Sequence, residues 1–408
     1  MMAAEPAGSP EALLTEEMRD PGEELERLLA EGVAGAKLRE ATSFDELAGK
    51  DRTDLLLFGA GGHGRYTASG LRNAGIEPIC FIDNNAALWG QRVEGVPVLS
   101  PAEGIRRYGS TAVFVVTVWR GEGTEKTAAR IAHLQSQGCK TVVPFLPLFW
   151  KYAEHLLPRY ALDLPHRAHE QAGAIRKAFG LMADDLSRRE FVAQLRWRLF
   201  GDSESLPDPV VPIYFREELF SITDHEDFVD CGAYDGDTLA QFLAESRNRI
   251  SSAWLFEPDP ANCDKLMARV ATLPDEVRPR IRCYNAATGE TNVRVRMMTG
   301  AGVASSVGAG DLEVECVTLD SVLGDAPVSY LKLDVEGFEL PTLRGAAQSI
   351  RRNKPILAMS AYHRQDDIWV LPLYIHELDP EYKLYLRPHL LEGWDLVLYA
   401  VPPSRSLP

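Results

Sequence analysis

Three side chains able to hold or move a proton fall just past the ends of two neighbouring strand candidates. Asp334 and Glu336 follow the run Ser329–Leu333, and His363 follows the run Ile356–Ala361. Open α/β sheets gather their working groups at the carboxyl ends of the strands, so the three are expected on one edge. An imidazole titrates near neutral pH, which makes His363 the first candidate for a general base that takes the proton of a hydroxyl; a histidine bonded to a backbone carbonyl is the plainer reading. Asp334 and Glu336 offer oxygens that either orient such a hydroxyl or share a divalent metal ion. Alternatively, Glu336 and Glu339 serve loop geometry and the positive N-terminus of a helix running towards Leu343. Lys332 alternates with Leu331 and Leu333, so it faces away from them and is expected to pair with a helix carboxylate.

A second group of residues surrounds a glycine turn. The stretch Phe228-Val229-Asp230-Cys231-Gly232-Ala233-Tyr234-Asp235-Gly236-Asp237-Thr238 leads from a strand into a helix, and the next strand ends in Glu257-Pro258, 21 residues past Gly236. A methyl donor carries no pyrophosphate, so glycines spaced G-x-x-x-G need not form a dinucleotide cradle and would seat a methionine part instead. They suit S-adenosylmethionine, with Asp230 near the amino and sulfonium groups and Glu257 accepting the two ribose hydroxyls. Asn285-Ala286-Ala287 ends the following strand, where Asn285 and Ala286 would border the adenine. The competing reading is that these acids only cap the helices after them, and that Asn285 merely tolerates a left-handed turn.

A third turn, Gly59-Ala60-Gly61-Gly62-His63-Gly64, is a literal G-x-G-x-x-G between a strand and a helix, and Asp83 closes the next strand 19 residues past Gly64. Gly59, Gly61 and Gly64 could bring backbone to a phosphate and Asp83 could take a ribose. They equally suit a tight turn in a domain that only packs. No second half of a dinucleotide site follows and no Tyr-x-x-x-Lys lies near, which weighs against a nicotinamide oxidoreductase.

The elements that must position these groups divide the 408 residues into five stretches. Residues 1–22, rich in proline, glycine and acids, are expected to be disordered. Residues 23–50 carry amphipathic helices, and 51–145 alternate strand and helix as a small parallel sheet. A helical connector spans 146–225, and a more regular α/β unit spans 226–408, closed by an antiparallel pair of strands. Trp369 and Trp394 read as core. The net charge of −16 removes nucleic acid and membrane surfaces from the expected partners. Six scattered cysteines without Cys-x-x-Cys suit free thiols in the cytoplasm.

Over roughly Glu226–Pro402 the chain resembles the FkbM family of S-adenosylmethionine-dependent methyltransferases. The resemblance rests on Val229–Thr238, Leu255-Phe256-Glu257-Pro258-Asp259-Pro260, Asn285-Ala286-Ala287, Thr318-Leu319-Asp320, Tyr330-Leu331-Lys332-Leu333-Asp334-Val335-Glu336-Gly337-Phe338-Glu339 and Tyr362-His363. It implies a class I methyltransferase domain with a seven-stranded Rossmann-like sheet and O-methylation of a hydroxyl on a sugar or specialised metabolite. The acceptor is then a small molecule or glycan, and self-association is left open. The first domain resembles the N-terminal Rossmann-like domain of NeuD/PglD sugar acyltransferases through Leu57–Gly64, Phe81-Ile82-Asp83-Asn84 and Gly95–Leu99. Their acyltransferase domain has no counterpart here, so acyl transfer is not implied. The alternative is a nucleotide-sugar-binding scaffold with a degenerate methyltransferase domain, against which the retained acids and His363 speak.

Overall fold

The computed structural model describes residues 20–120, 123, 125–297 and 312–407, so the expected disordered start lies almost wholly outside the described residues. Two helices open the chain, Pro21–Leu29 and Gly32–Ala48. The first begins two residues before the expected boundary because Asp20 caps it, accepting from the Gly22 and Glu23 N–H groups, with Pro21 at the first helical position.

The first sheet runs β3-β4-β2-β1-β5-β6, with β1 Leu55–Phe58, β2 Cys80–Ile82, β3 Arg92–Val93, β4 Val96–Leu99, β5 Val113–Val116 and β6 Thr141–Pro144. All its pairings are parallel except β3 with β4. β1 and β5 are buried along their whole length, as strands covered on both faces must be. β5 ends at Val116. The Thr117 hydroxyl turns back to the Phe58 and Gly59 carbonyls (3.0 and 3.2 Å), and the chain leaves the sheet there.

The second sheet runs β15-β16-β14-β13-β7-β8-β9, with β7 Glu226–Cys231, β8 Ile250–Phe256, β9 Ile281–Tyr284, β13 Tyr330–Leu333, β14 Ile356–Ser360, β15 Lys383–Pro388 and β16 Leu396–Val401. β16 is antiparallel to both β14 and β15, and the other neighbours are parallel. The seven-stranded sheet of the expectation is therefore present. Three further strands, β10 Ala287–Thr288, β11 Val293–Met297 and β12 Leu312–Val317, form a separate small sheet instead of extending the large one. β11 is mostly exposed and carries Arg294 and Arg296, a poor fit to a strand buried on both faces.

The connector is more than a connection. Helices Pro165–Glu170, Ala172–Gly180 and Asp185–Phe200 share one core with β7, β13 and β14, and Leu25, Leu28 and Leu29 of the first helix join it. Helix Asp185–Phe200 sends Phe191, Leu195 and Leu199 into that core and Ala193 and Trp197 into the core of the first domain. Its N-cap, Asp184, accepts from the Ser187 N–H (2.8 Å) and pairs with Arg387 of β15 (2.6 Å), whose side chain is buried. No helix among the described residues is long and apolar enough to cross a membrane.

Asp184→Ala is expected to lower the unfolding free energy by about 2 kcal/mol in a urea titration, because the buried Arg387 loses its nearest carboxylate, keeping only Glu218 at 3.6 Å, and the helix loses its cap. Asp185→Ala, an exposed neighbour, is expected to cost less than about 0.5 kcal/mol.

Candidate active site

A cavity of about 830 Å³ opens past the carboxyl ends of β7 and β13, the central strands from which the chain order diverges to either side. Its size lies toward the upper end of the ~300–1,000 Å³ of small-molecule sites. Gly232, Tyr234, Thr238, Glu257, Pro258, Ala286, Lys332, Asp334 and Glu336, all but Lys332 named as site residues from the sequence, line it together.

Gly232 stands at φ +80°, and a Cβ there would lie 1.8 Å from the Asp334 carbonyl oxygen. Only glycine lets the two loops meet. Glu257 is held rigidly: its two carboxylate oxygens accept from the Tyr234 N–H (2.8 Å) and the Asp259 N–H (2.9 Å). Each oxygen keeps a free lone pair, and burial pushes the carboxyl up to about 7. Asn285 does not line the cavity. Its amide donates to the Glu257 and Pro258 carbonyls (2.9 and 3.0 Å) and so braces the turn that carries Glu257. Ala233 and Gly236 also stay off the wall and shape the loop, the Ala233 N–H bonding the Phe256 carbonyl at 3.0 Å.

Asp230 is fully buried and does not line the cavity; it lies directly opposite Lys332 in the β7–β13 register, with the ammonium 3.0 Å away. Neighbours in register share a face, so Lys332 pairs with a strand carboxylate and not with a helix carboxylate as expected. Lys332 also donates to the Gly232 carbonyl at 2.7 Å. Burial raises Asp230 to about 6. It would lower Lys332, but Asp230 and Asp334 outweigh it and keep the amine charged.

On the other side Asp334 accepts from the Tyr214 hydroxyl at 3.0 Å. Burial would raise its pKa, but Lys332 and His363 outweigh that and hold it below the usual carboxylate range. Glu336 adopts φ +51° before Gly337 at +94°, a left-handed pair that turns its carboxylate to the cavity. Burial pushes Glu336 up to about 7 against the pull of His363. His363 stands behind these two acids and is not part of the wall. Its Nδ1 meets Glu339 at 2.8 Å, and its Nε2 lies 3.5 Å from Asp334 and 3.7 Å from Glu336. Burial would lower its pKa, but Glu339, Glu336 and Asp334 outweigh that and raise it to about 10. With its ring enclosed by Glu339, Asp334 and Glu336 and off the cavity wall, His363 is not placed to touch an acceptor hydroxyl directly. Among the described residues, the ligand atoms that converge within 4.8 Å belong to Asp334, Glu339 and His363, not to Asp334 with Glu336.

The third turn stands apart. The Asp83 carboxylate accepts from the Ala60 and Asn85 N–H groups, both at 2.7 Å, and thereby closes its own loop. His63 is sealed between Trp119, Phe145 and Phe149, and burial lowers it to about 3. The cavity wall also includes Trp119, Arg120, Tyr160, Tyr214, Trp394 and Asp395, which the sequence reading missed as site residues. They come from four distant stretches, and no spacing ties them to the glycine turn.

Residues 230–388 match the family model described as the methyltransferase FkbM domain. The crystal structure of methyltransferase FkbM from Methylobacillus flagellatus KT is 25% identical, covers 93% of this chain and 100% of its own, and superposes with a TM-score of 0.75, a coverage that takes in both sheets. An rRNA methylase from Streptococcus thermophilus is 17% identical over 46% of this chain and 90% of its own, with a TM-score of 0.30. None of the curated proteins matches the chain. Residues 230–388, which hold most of the second sheet and the Gly232, Glu257, Asp334 and Glu336 part of the cavity, are thus similar to a methyltransferase FkbM domain.

Proposed function

We propose that this protein uses S-adenosylmethionine to methylate a hydroxyl group on a sugar or specialised metabolite. The observation that carries the reading is Glu257, a carboxylate fixed by two backbone N–H groups with its spare lone pairs on the cavity that Asp334 and Glu336 also line. That donor set fits the cofactor: Glu257 would hold the ribose hydroxyls, and Pro258 and Ala286 would flank the adenine. When bound, the cofactor supplies an electrophilic methyl group. Glu336, with a pKa near neutrality, takes the proton of the acceptor hydroxyl as that oxygen attacks in line. Asp334, steadied by Tyr214, orients the same hydroxyl. His363 acts behind them as a positioning residue whose charge keeps both acids in place, and the reading needs no divalent ion. A cytoplasmic location accords with six unpaired cysteines.

Glu257→Ala is expected to weaken S-adenosylhomocysteine binding at least tenfold by calorimetry, with the melting temperature of the unliganded protein little changed; unaltered affinity would remove the cofactor assignment. Glu336→Gln is expected to lower turnover ~100-fold or more while that affinity stays as it was. In the wild type, turnover should rise through about pH 7 as Glu336 ionises, and a flat profile would take the proton from another group. The pKa of His363 is raised on folding from 6.5 to about 10. Its stabilising contribution is therefore complete below about pH 6.5 and is lost as the pH climbs through 10. The stability gap between wild type and His363→Gln should narrow over that interval in denaturation curves.

A further inference from the structure

Beyond its own sheet, the first domain reaches into the cavity. Past Val116 the chain runs over the glycine turn: a Cβ on Gly59, at φ +110°, would come within 2.6 Å of Val118, and one on Gly64 within 1.9 Å of the Gly59 carbonyl. The glycines make room for this protein's own chain, and His63 backs Trp119 at 5.4 Å between ring centres. Trp119 donates its indole N–H to the Glu392 carbonyl (3.0 Å) and packs on Trp394 at 4.7 Å. Glu392 is buried, accepts from the Thr127 N–H at 2.5 Å and lies 3.6 Å from Arg130. One residue of the loop between β15 and β16 is therefore clamped from three sides by the first domain, and the same loop carries Trp394 and Asp395 to the cavity.

These groups gather on the Asp334–Glu336 side. Tyr160 lies 4.8 Å from Trp394 and 6.3 Å from His363, and Tyr362 lies 5.8 Å from Trp394. The carboxylates of Asp395 and of Asp334, the latter accepting from the Tyr214 hydroxyl, add polar groups to the same wall. Arg120 adds an exposed guanidinium from the first domain.

We infer that this aromatic end, built jointly by the first domain and the clamped loop, is the acceptor subsite, and that it takes a polyhydroxylated ring. The ring's C–H face rests on the aromatic side chains, and its hydroxyls meet Asp334, Asp395 and Arg120. The first domain is on this view a specificity element for methyl transfer, and its G-x-G-x-x-G turn supports Trp119 instead of gripping a nucleotide. The inference rests on the methyl-transfer reading.

The test uses the full-length protein saturated with S-adenosylhomocysteine, titrated by tryptophan fluorescence with the methyl glycosides of glucose, galactose, mannose and rhamnose, and with catechol and tyramine as flat and basic controls. Labelled methyl transfer from S-adenosylmethionine to the same probes is measured in parallel. At least one glycoside is expected to bind and to accept methyl, with Arg120→Ala and Trp394→Phe each raising its KM at least fivefold and leaving S-adenosylhomocysteine affinity within twofold. Response to catechol or tyramine alone, response to no glycoside, or wild-type KM values in both variants would overturn the subsite while leaving cofactor binding standing. Failure of the wild type to bind S-adenosylhomocysteine would instead overturn the methyl-transfer reading, and this one with it. Arg120 is exposed, so its variant keeps the fold even if the Trp394 variant does not.

Discussion

The carboxyl edge of the second sheet is organised by a line of buried charges that alternate in sign. Asp230 faces Lys332, Lys332 stabilises Asp334, Asp334 lies beside the His363 imidazolium, and His363 ends on Glu339. Each of these groups would be costly to bury alone, and each is tolerated because the next one compensates it. The line fixes what every member can do. Lys332 is held charged and Asp334 ionised, while Glu336, flanking the line and facing the cavity, is pushed up towards neutrality by burial, as Glu257 is on the other side.

The same constraint accounts for the backbone around it. Gly232 has no Cβ because the Asp334 carbonyl occupies that space, and its own carbonyl accepts from Lys332. The cofactor-side loop and the proton-handling loop are thus joined both by contact and by a shared ammonium. Glu257, anchored by Tyr234 and Asp259, then stands at a fixed place relative to Asp334 without any direct bond between them.

Much of this was legible in the sequence. The strands of the second sheet follow apolar runs that periodicity detects, and the acids at their ends fall on the cavity because strand ends do so in this fold. What periodicity could not supply was partnership. Lys332 was placed on the right face of β13, but its neighbour in register, Asp230, depends on the pairing of two strands about a hundred residues apart. The role of His363 turned on three carboxylates brought together by folding, which moved its pKa far from the value that made it attractive as a base. Trp119 went unremarked as a site residue and Trp394 was read as core, because the contact between them joins parts of the chain that share no local pattern.

Helix Asp185–Phe200 carries a further implication. Residues on its different faces belong to two separate cores, Phe191 and Leu195 in one, Ala193 and Trp197 in the other. A hinge needs a seam across which few contacts run, and this helix is a spine common to both lobes. The two lobes then travel as one body, so their separation is not what admits molecules to the cavity.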